Sequence, residues 1–304
     1  MYKRLELHNH TTESDASITC RELLELMEAD RVDGFALTDH NTISGHRKMQ
    51  KLLAEPGHTI QCICGMEYTT YYGHILCLNL KEYVPWDSID FHQPELLFQA
   101  VRRTGALAGI AHPYSYGYPF AKGCRFEMQV TDYSCVDFIE VFNNPEPLYE
   151  VNEKGQLLWE KLVLEGIPIA RTCGMDLHGS SPMAGQYATF IEGAPDGDIA
   201  KELCQAIHSQ KTWISKGPLL ETVYCAEKDC FTFHLLPTGK PGYAVKEESC
   251  YTVSLKTKDG SVCCRLKDVV PRSALKGADT VIPGLYEGDT DIRNLVCGAP
   301  VITF

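Results

Sequence analysis

The sequence predicts an α/β barrel over residues 1–217 followed by a small β-rich appendage over residues 218–304. Strand-like and helix-like runs alternate about seven times over the first part, with no dinucleotide-type glycine fingerprint among them. Histidines and carboxylates also stand at the ends of many different apolar runs. In a barrel those ends converge on one cavity, whereas a doubly wound sheet would spread them along a line.

Taken in order, Lys3 to Leu7 reads as a strand, and His8 and His10 just beyond it share one face because strand periodicity is two. Ser17 or Thr19 can cap a helix through ITCRELLELMEAD, with Leu23, Leu24 and Met27 at helical spacing. GFALT is the next strand, closed by His40. Asn41–Thr42 then starts a helix through HRKMQKLLAE, which Pro56–Gly57 stops. HTIQCICGMEY is a strand ending at Glu67, and HILCLNL is its hairpin return, which brings His74 to the same end of the sheet. The helix PELLFQAVRRTG precedes the strand GALAGIAHP, which ends at His112.

Residues 114–132, aromatic and glycine-rich without periodicity, form a long active-site loop. VDFIEVFNN is a strand, LLWEKLVLEG a helix, and IPIARTCGMD a strand ending near Asp176, two residues before His178. QYATFIE, the helix DIAKELCQAIHSQ and the strand KTWIS complete the pattern. After Pro218 the runs LETVYCA, CFTFHLLP, YTVSLKTK, SVCCRLKD and LVCGAPVITF are broken by Gly and Pro turns. They suggest a sandwich-like unit packed on the barrel.

Composition narrows the function. A net charge of −12 over 304 residues disfavours long nucleic acids and anionic membrane surfaces, which require clustered Lys and Arg. No apolar run approaches the ~20 residues of a membrane helix. The fourteen cysteines include no CxxC pair, and MYKRLELHNH has no leader-like pattern. They read as reduced thiols in a cytoplasmic protein.

The motifs LHNHTTESD, Thr38-Asp39-His40, Gly65-Met66-Glu67 followed by His74, Ala111-His112-Pro113 and Asp176-Leu177-His178 stand in one order. In type and order they resemble the polymerase-and-histidinol-phosphatase (PHP) family. The resemblance covers about residues 1–217 and implies a distorted seven-stranded barrel of the TIM type holding two to three divalent metal ions. It implies that His8, His10, Glu67 and Asp176 hold a first metal. Glu67 bridges to a second, completed by His74 and His112, and Asp15, His40 and His178 hold a third. Imidazole and carboxylate without thiolate suit Zn, Mn or Fe(II).

A bridging glutamate sets two cations ~3.5–4 Å apart, where a trapped hydroxide can attack phosphorus in line. The resemblance thus implies a phosphoesterase acting on small phosphate monoesters, nucleotides such as AMP or 3′,5′-bisphosphates among them. Histidinol-phosphate phosphatases form a second branch. Only about 45 residues separate Glu67 from His112, too few for the inserted domain that nucleotide-cleaving relatives carry. Asp176 is the candidate to orient or deprotonate the nucleophile, a protonated histidine or water supplies the leaving group's proton, and Asp176, His178 and Glu67 are the catalytic candidates.

Lys122, Arg125 and Arg171 are candidate phosphate clamps, and Asn143 a candidate partner for a sugar hydroxyl. Tyr114, Tyr116, Tyr118 and Phe120 form either a lid or a small satellite core. Asp39 either orients a ligand histidine or caps a turn. The alternatives are an amidohydrolase-like enzyme, although Glu67 fills the position of that group's usual carboxylated lysine, and a metal- or ligand-binding sensor.

Overall fold

The computed structural model describes residues 1–87, 89–116, 124–143 and 149–304. Its first part runs β1 (Tyr2–Glu6), α1 (Cys20–Ala29), β2 (Gly34–Leu37), α2 (Ser44–Leu53), β3 (Gln61–Thr70), β4 (Gly73–Leu78), α3 (Glu95–Arg103), β5 (Leu107–Ile110) and β6 (Phe138–Asn143). It continues with α4 (Tyr149–Leu164), β7 (Ala170–Gly174), β8 (Ala188–Glu192), α5 (Ile199–His208) and β9 (Trp213–Ser215). Local chemistry explains the helix starts. Thr19 accepts from Glu22 N while the Glu22 carboxylate accepts from Thr19 N at 2.7 Å, a reciprocal cap that turns Cys20, Leu23, Leu24 and Met27 inward. α2 begins later than the sequence suggests, because Asn41 is committed elsewhere: its side chain bonds Thr69 N and O on β3.

The strands form one mixed sheet in the order β9-β8-β1-β2-β3-β4-β5-β6-β7. β4 pairs antiparallel with both β3 and β5, and β8 pairs antiparallel with β1 and β9. The remaining pairs are parallel. The strand–helix alternation is interrupted at the points where the sequence suggests a hairpin and a long loop. β3 and β4 form a hairpin, and the described parts of the β5–β6 and β7–β8 connections contain no α-helix.

The backbone ladder ends at β7 among the described residues. Across the remaining seam a side chain does the joining: Thr189 Oγ1 accepts from Cys173 N and donates to Cys173 O, both at 2.9 Å. Inside, Leu5, Leu7, Ile63, Leu76, Phe138 and Ile191 pack together with the apolar face of α5. That helix lies across the amino-terminal ends of β2 and β3. A Cβ at Gly34 would strike Ile199, and Ile199 N donates to the Gln61 side chain. The opposite end of the sheet is left for polar groups.

The C-terminal part both extends this sheet and packs on it, with Ile282 and Leu295 in one apolar cluster with Trp159 and Ile214. β12 (Tyr251–Thr257), β13 (Gly260–Cys264), β15 (Thr280–Glu287) and β16 (Leu295–Gly298) join it through the β16–β9 pairing. β10 (Leu219–Cys225), β11 (Cys230–Leu236) and β14 (Val270–Pro271) form a separate three-stranded antiparallel sheet. All fourteen cysteines are free thiols. No helix among the described residues is long and apolar enough to cross a membrane.

The β7–β8 seam makes a direct prediction. Thr189→Val keeps the shape but leaves two buried backbone groups of Cys173 unpaired, so it should cost about 1–3 kcal/mol in denaturant unfolding. Thr189→Ser should retain most of the stability. Equal midpoints for Val and wild type would remove the hydroxyl from this role.

Candidate metal centre

The centre is assembled where β1, β2, β5 and β7 end and β4 begins, around Glu67 of β3. Beyond β1 the chain stays extended through Asn9, whose side chain turns away from the cavity and donates to Glu6 O and Ala36 O. Its backbone is gripped on one side by Thr38, and that of its neighbours on the other: His10 N donates to Leu177 O, and Leu177 N to His8 O. His8 and His10 are thereby pinned between the motif that ends in His40 and the one that carries Asp176. Asp39 accepts from Thr11 N, Thr11 Oγ1 and Ser14 Oγ. It therefore fixes the loop that presents Asp15, and the turn-forming reading of Asp39 is the one its contacts support.

Glu67, with no exposed surface, is the hub. Its carboxylate lies 3.2 Å from His8 Nε2, 3.5 Å from His10 Nε2 and 2.9 Å from His40 Nδ1. His74 Nδ1 is at 2.9 Å and His112 Nε2 at 3.1 Å. Asp176 faces the same space, 3.0 Å from His10 and 3.3 Å from His8. His178 and His40 reach Asp15 at 3.3 and 3.6 Å. The site grades from a dry floor to an open rim, where the Asp15 side chain is 60% exposed. His112 and Asp176 both have positive φ, 24° and 48°. Gly174 is equally constrained, since a Cβ there would stand 2.6 Å from His8 Cβ and 2.7 Å from Glu140 Oε1.

All nine expected ligands meet here. Their donor atoms fall into overlapping groups whose members lie within 4.8 Å of one another: His8/His10/Glu67/Asp176, His10/Asp15/His40/His178, His40/Glu67/His74, and His8/His112/Glu140, so that His74 groups with His40 and His112 with His8 rather than with each other. The first is the set expected for one metal. His40 stands between two groups, its Nδ1 toward Glu67 and its Nε2 toward His178 and Asp15. The residues fit cations on a further count. His8 Nε2 and Glu67 Oε2 are buried with no hydrogen-bond partner, close together but out of hydrogen-bond geometry. Two buried polar atoms this close with no hydrogen bond between them are what a cation satisfies.

Electrostatics agree. Burial would raise the Glu67 carboxyl, yet His8, His74, His112 and His40 hold it well below the usual range. Burial opposes charge on His112, but Glu67, Asp176 and Glu140 outweigh it and raise its pKa to about 9. His8 is raised well above its ordinary value against burial by Glu140, Glu67 and Asp176. His10, where burial dominates, is lowered.

One member escaped the sequence reading. Glu140, buried in the middle of β6, lies 3.0 Å from His8 Nδ1 and accepts from His112 N at 3.0 Å. It sets the tautomer of His8 and leaves Nε2 free for a cation. Its signal was a carboxylate inside the apolar run FIEVF.

The substrate-binding candidates divide. Arg125 is exposed beside Cys124, whose carbonyl lies 3.1 Å from His112 Nδ1, and its guanidinium lies over Tyr114. Asn143 directs its amide toward Glu140 at 3.4 Å, so its polar group is turned to the centre's support. Arg171 is turned to the outer face of β7, over the Trp159 indole and against Ala299, because residues 170 and 172 take the inward positions. That corrects its expected place at the metal mouth. Lys122, like Tyr118 and Phe120, lies outside the described residues.

Comparison with known proteins adds four likenesses. The PHP domain model matches residues 6–103. The uncharacterized protein MJ1587 of Methanocaldococcus jannaschii is 30% identical over 151 residues, 46% of this chain and 81% of that protein. A 5′-3′ exoribonuclease of Haemophilus influenzae is 35% identical over 89 residues, 28% of this chain and 32% of its own length. A two-domain protein of Bacteroides vulgatus, containing a predicted PHP-like metal-dependent phosphoesterase, superposes over all of this chain and 95% of its own. The TM-score is 0.57 and the identity 13%, so this last likeness is one of fold.

Two predictions follow from the geometry. Glu140→Gln should weaken metal binding about 10–100-fold in chelator competition, with the fold retained; unchanged affinity would make Glu140 a packing residue only. The second concerns pH. In metal-free protein the charges on His8, His40 and His112 steady Glu67 and Asp176, and their folded pKa values are raised. That contribution is complete below the ordinary value of 6.5 and is lost as pH rises through about 9 for His112. Melting of chelator-treated protein should therefore fall more steeply between these pH values than melting of metal-loaded protein. Parallel curves would contradict it.

Proposed function

Because this chain belongs to the PHP domain family, we propose that its metal centre hydrolyses small phosphate monoesters. The observation that carries the reading is the convergence of five histidines, His8, His10, His40, His74 and His112, on a buried Glu67 whose Oε2 has no hydrogen-bond partner, with Asp176, His178 and Asp15 continuing the cluster to the rim. Two to three divalent ions, Zn, Mn or Fe, would be held by His8, His10, Asp15, His40, Glu67, His74, His112, Asp176 and His178. Bound there, such ions would supply activation of water near neutral pH and would offset the charge of a phosphate ester.

A third ion would bring the positive charge beyond what the carboxylates of the centre offset and would favour an anionic phosphate ester. The chain's own residues then divide the work. Asp176 is the carboxylate that touches the buried floor while its side chain keeps 23% exposure at the mouth. It can orient an attacking water and accept its proton. The departing alkoxide would take its proton from water at the rim, or from His178, 37% exposed there, when that ring is not holding an ion. Arg125 can swing from Tyr114 to the phosphoryl oxygens.

The same reading takes β1–β8 as a distorted barrel closed at the Thr189 seam, with residues 218–304 as a second unit. It takes the substrate to be a small phosphorylated molecule rather than a long nucleic acid, given the net charge of −12. Likeness to an exoribonuclease over 89 residues supports nucleotides as the first compounds to try. Free thiols at exposed Cys250 and Cys263 suit a reducing compartment such as the cytoplasm.

The test is phosphate release by Mn-loaded protein from a nucleoside monophosphate, a 3′,5′-bisphosphate, histidinol phosphate and a phosphodiester. Release from a monoester should fall about 10²–10⁴-fold in Asp176→Asn with metal content retained. Arg125→Ala should raise KM by about tenfold or more. No release from any of the four by protein with its metals bound would defeat the proposal.

A further inference from the structure

Away from the metal centre, one buried cation lacks a countercharge. Arg171, 2% exposed, stacks its guanidinium on Trp159 at 4.3 Å and donates to Ala299 O, while its Nε has no partner. Among the described residues no carboxylate pairs with it. Glu160, whose field reaches it, is engaged by Lys256 and by Gln156 Nε2. A guanidinium removed from water without a pairing anion is costly to keep.

The chain has nevertheless made room for it. A Cβ at Gly298 would stand 2.6 Å from Arg171 Cζ and 2.7 Å from its Nη2, so that position admits no side chain. The guanidinium lines a cavity of about 180 Å³ between α4 and the sheet of β12, β15 and β16, shared with Gln156, Ser254 and Lys256. Ser261 and Thr290, both exposed, stand at its edge. On the same cavity, buried Gln156 Oε1 is an acceptor with no donor, because its amide nitrogen is given to Glu160.

A guest that relieves both groups must offer oxygen acceptors to Arg171 and a hydroxyl proton to Gln156. It must also carry negative charge, since Arg171 and Lys256 outnumber Glu160. We propose that this cavity binds a small protonated oxyanion of the phosphate class, with its oxygens on the Arg171 guanidinium and its hydroxyl toward Gln156. Either free orthophosphate or the phosphoryl end of a larger molecule satisfies that chemistry. The site is distinct from the metal centre and does not depend on the proposed hydrolysis.

Trp159 under the guanidinium supplies the readout. Metal-loaded protein titrated with orthophosphate should show a saturable change in tryptophan emission that is absent in Trp159→Phe. Binding should weaken at least about tenfold in Arg171→Lys, which keeps charge but loses the planar fork. It should weaken similarly in Ser261→Tyr, which narrows the mouth from the surface and leaves the core untouched. Sulfate, with no proton to give, should bind about tenfold more weakly than orthophosphate. A response to phenylphosphonate as well would assign the site to a phosphoryl end; a response to orthophosphate alone, to the free anion. No saturable response to either below about 10 mM would overturn the proposal. So would a response unchanged in both Arg171→Lys and Ser261→Tyr.

Discussion

A carboxylate sealed from water must be surrounded by positive charge, and Glu67 imposes that demand on the whole upper end of the sheet. Five imidazoles answer it from four separate pieces of chain: His8 and His10 beyond β1, His40 beyond β2, His74 on β4 and His112 beyond β5. With cations bound, those rings give up their protons and become ligands; without them, the rings themselves carry the charge. Either way the strand ends must arrive together. That requirement accounts for the side chains spent on holding backbone: Asn9, Thr38, Asp39, Asn41 and Glu140 each bond main chain beside a ligand.

The rest of the architecture serves that arrangement by excluding water from below. α5 covers the amino-terminal strand ends, and the apolar interior beneath Glu67 keeps its field unscreened. The C-terminal strands reach the first part through main-chain pairing at β9 and β16. An edge that would otherwise be exposed to association is thereby covered. Because the joint is a backbone ladder, it fixes Gly298 against Arg171 and gives the second cavity its walls.

Much of this was readable in advance, and the exceptions have physical reasons. The ligands were legible because His and Asp at the ends of apolar runs are rare and their order was distinctive. Glu140 was not, because it sits within a run rather than at its end, and its value comes from meeting His8 across the fold. Arg171 misled because nearness to Asp176 in sequence ignores the flip of side chains along a strand, which sends residue 171 outward. The β-rich character of the last part was plain from its turns and alternation. Which edge it would extend was not, since strand patterning carries no record of the partner.

The left-handed backbone at His112 and Asp176 has a consequence for how this centre can be dissected. Histidine, aspartate and asparagine tolerate that conformation better than most residues, and alanine has no side-chain bond to stabilise it. Each position holds about 1–3 kcal/mol of conformational cost that its contacts repay. Replacement by alanine would alter the path of the chain together with the chemistry, and a loss of turnover could not then be divided between them. Isosteric exchange keeps the path. At these two positions the ligand and the hinge of the backbone are the same residue, so alanine scanning would count each of them twice.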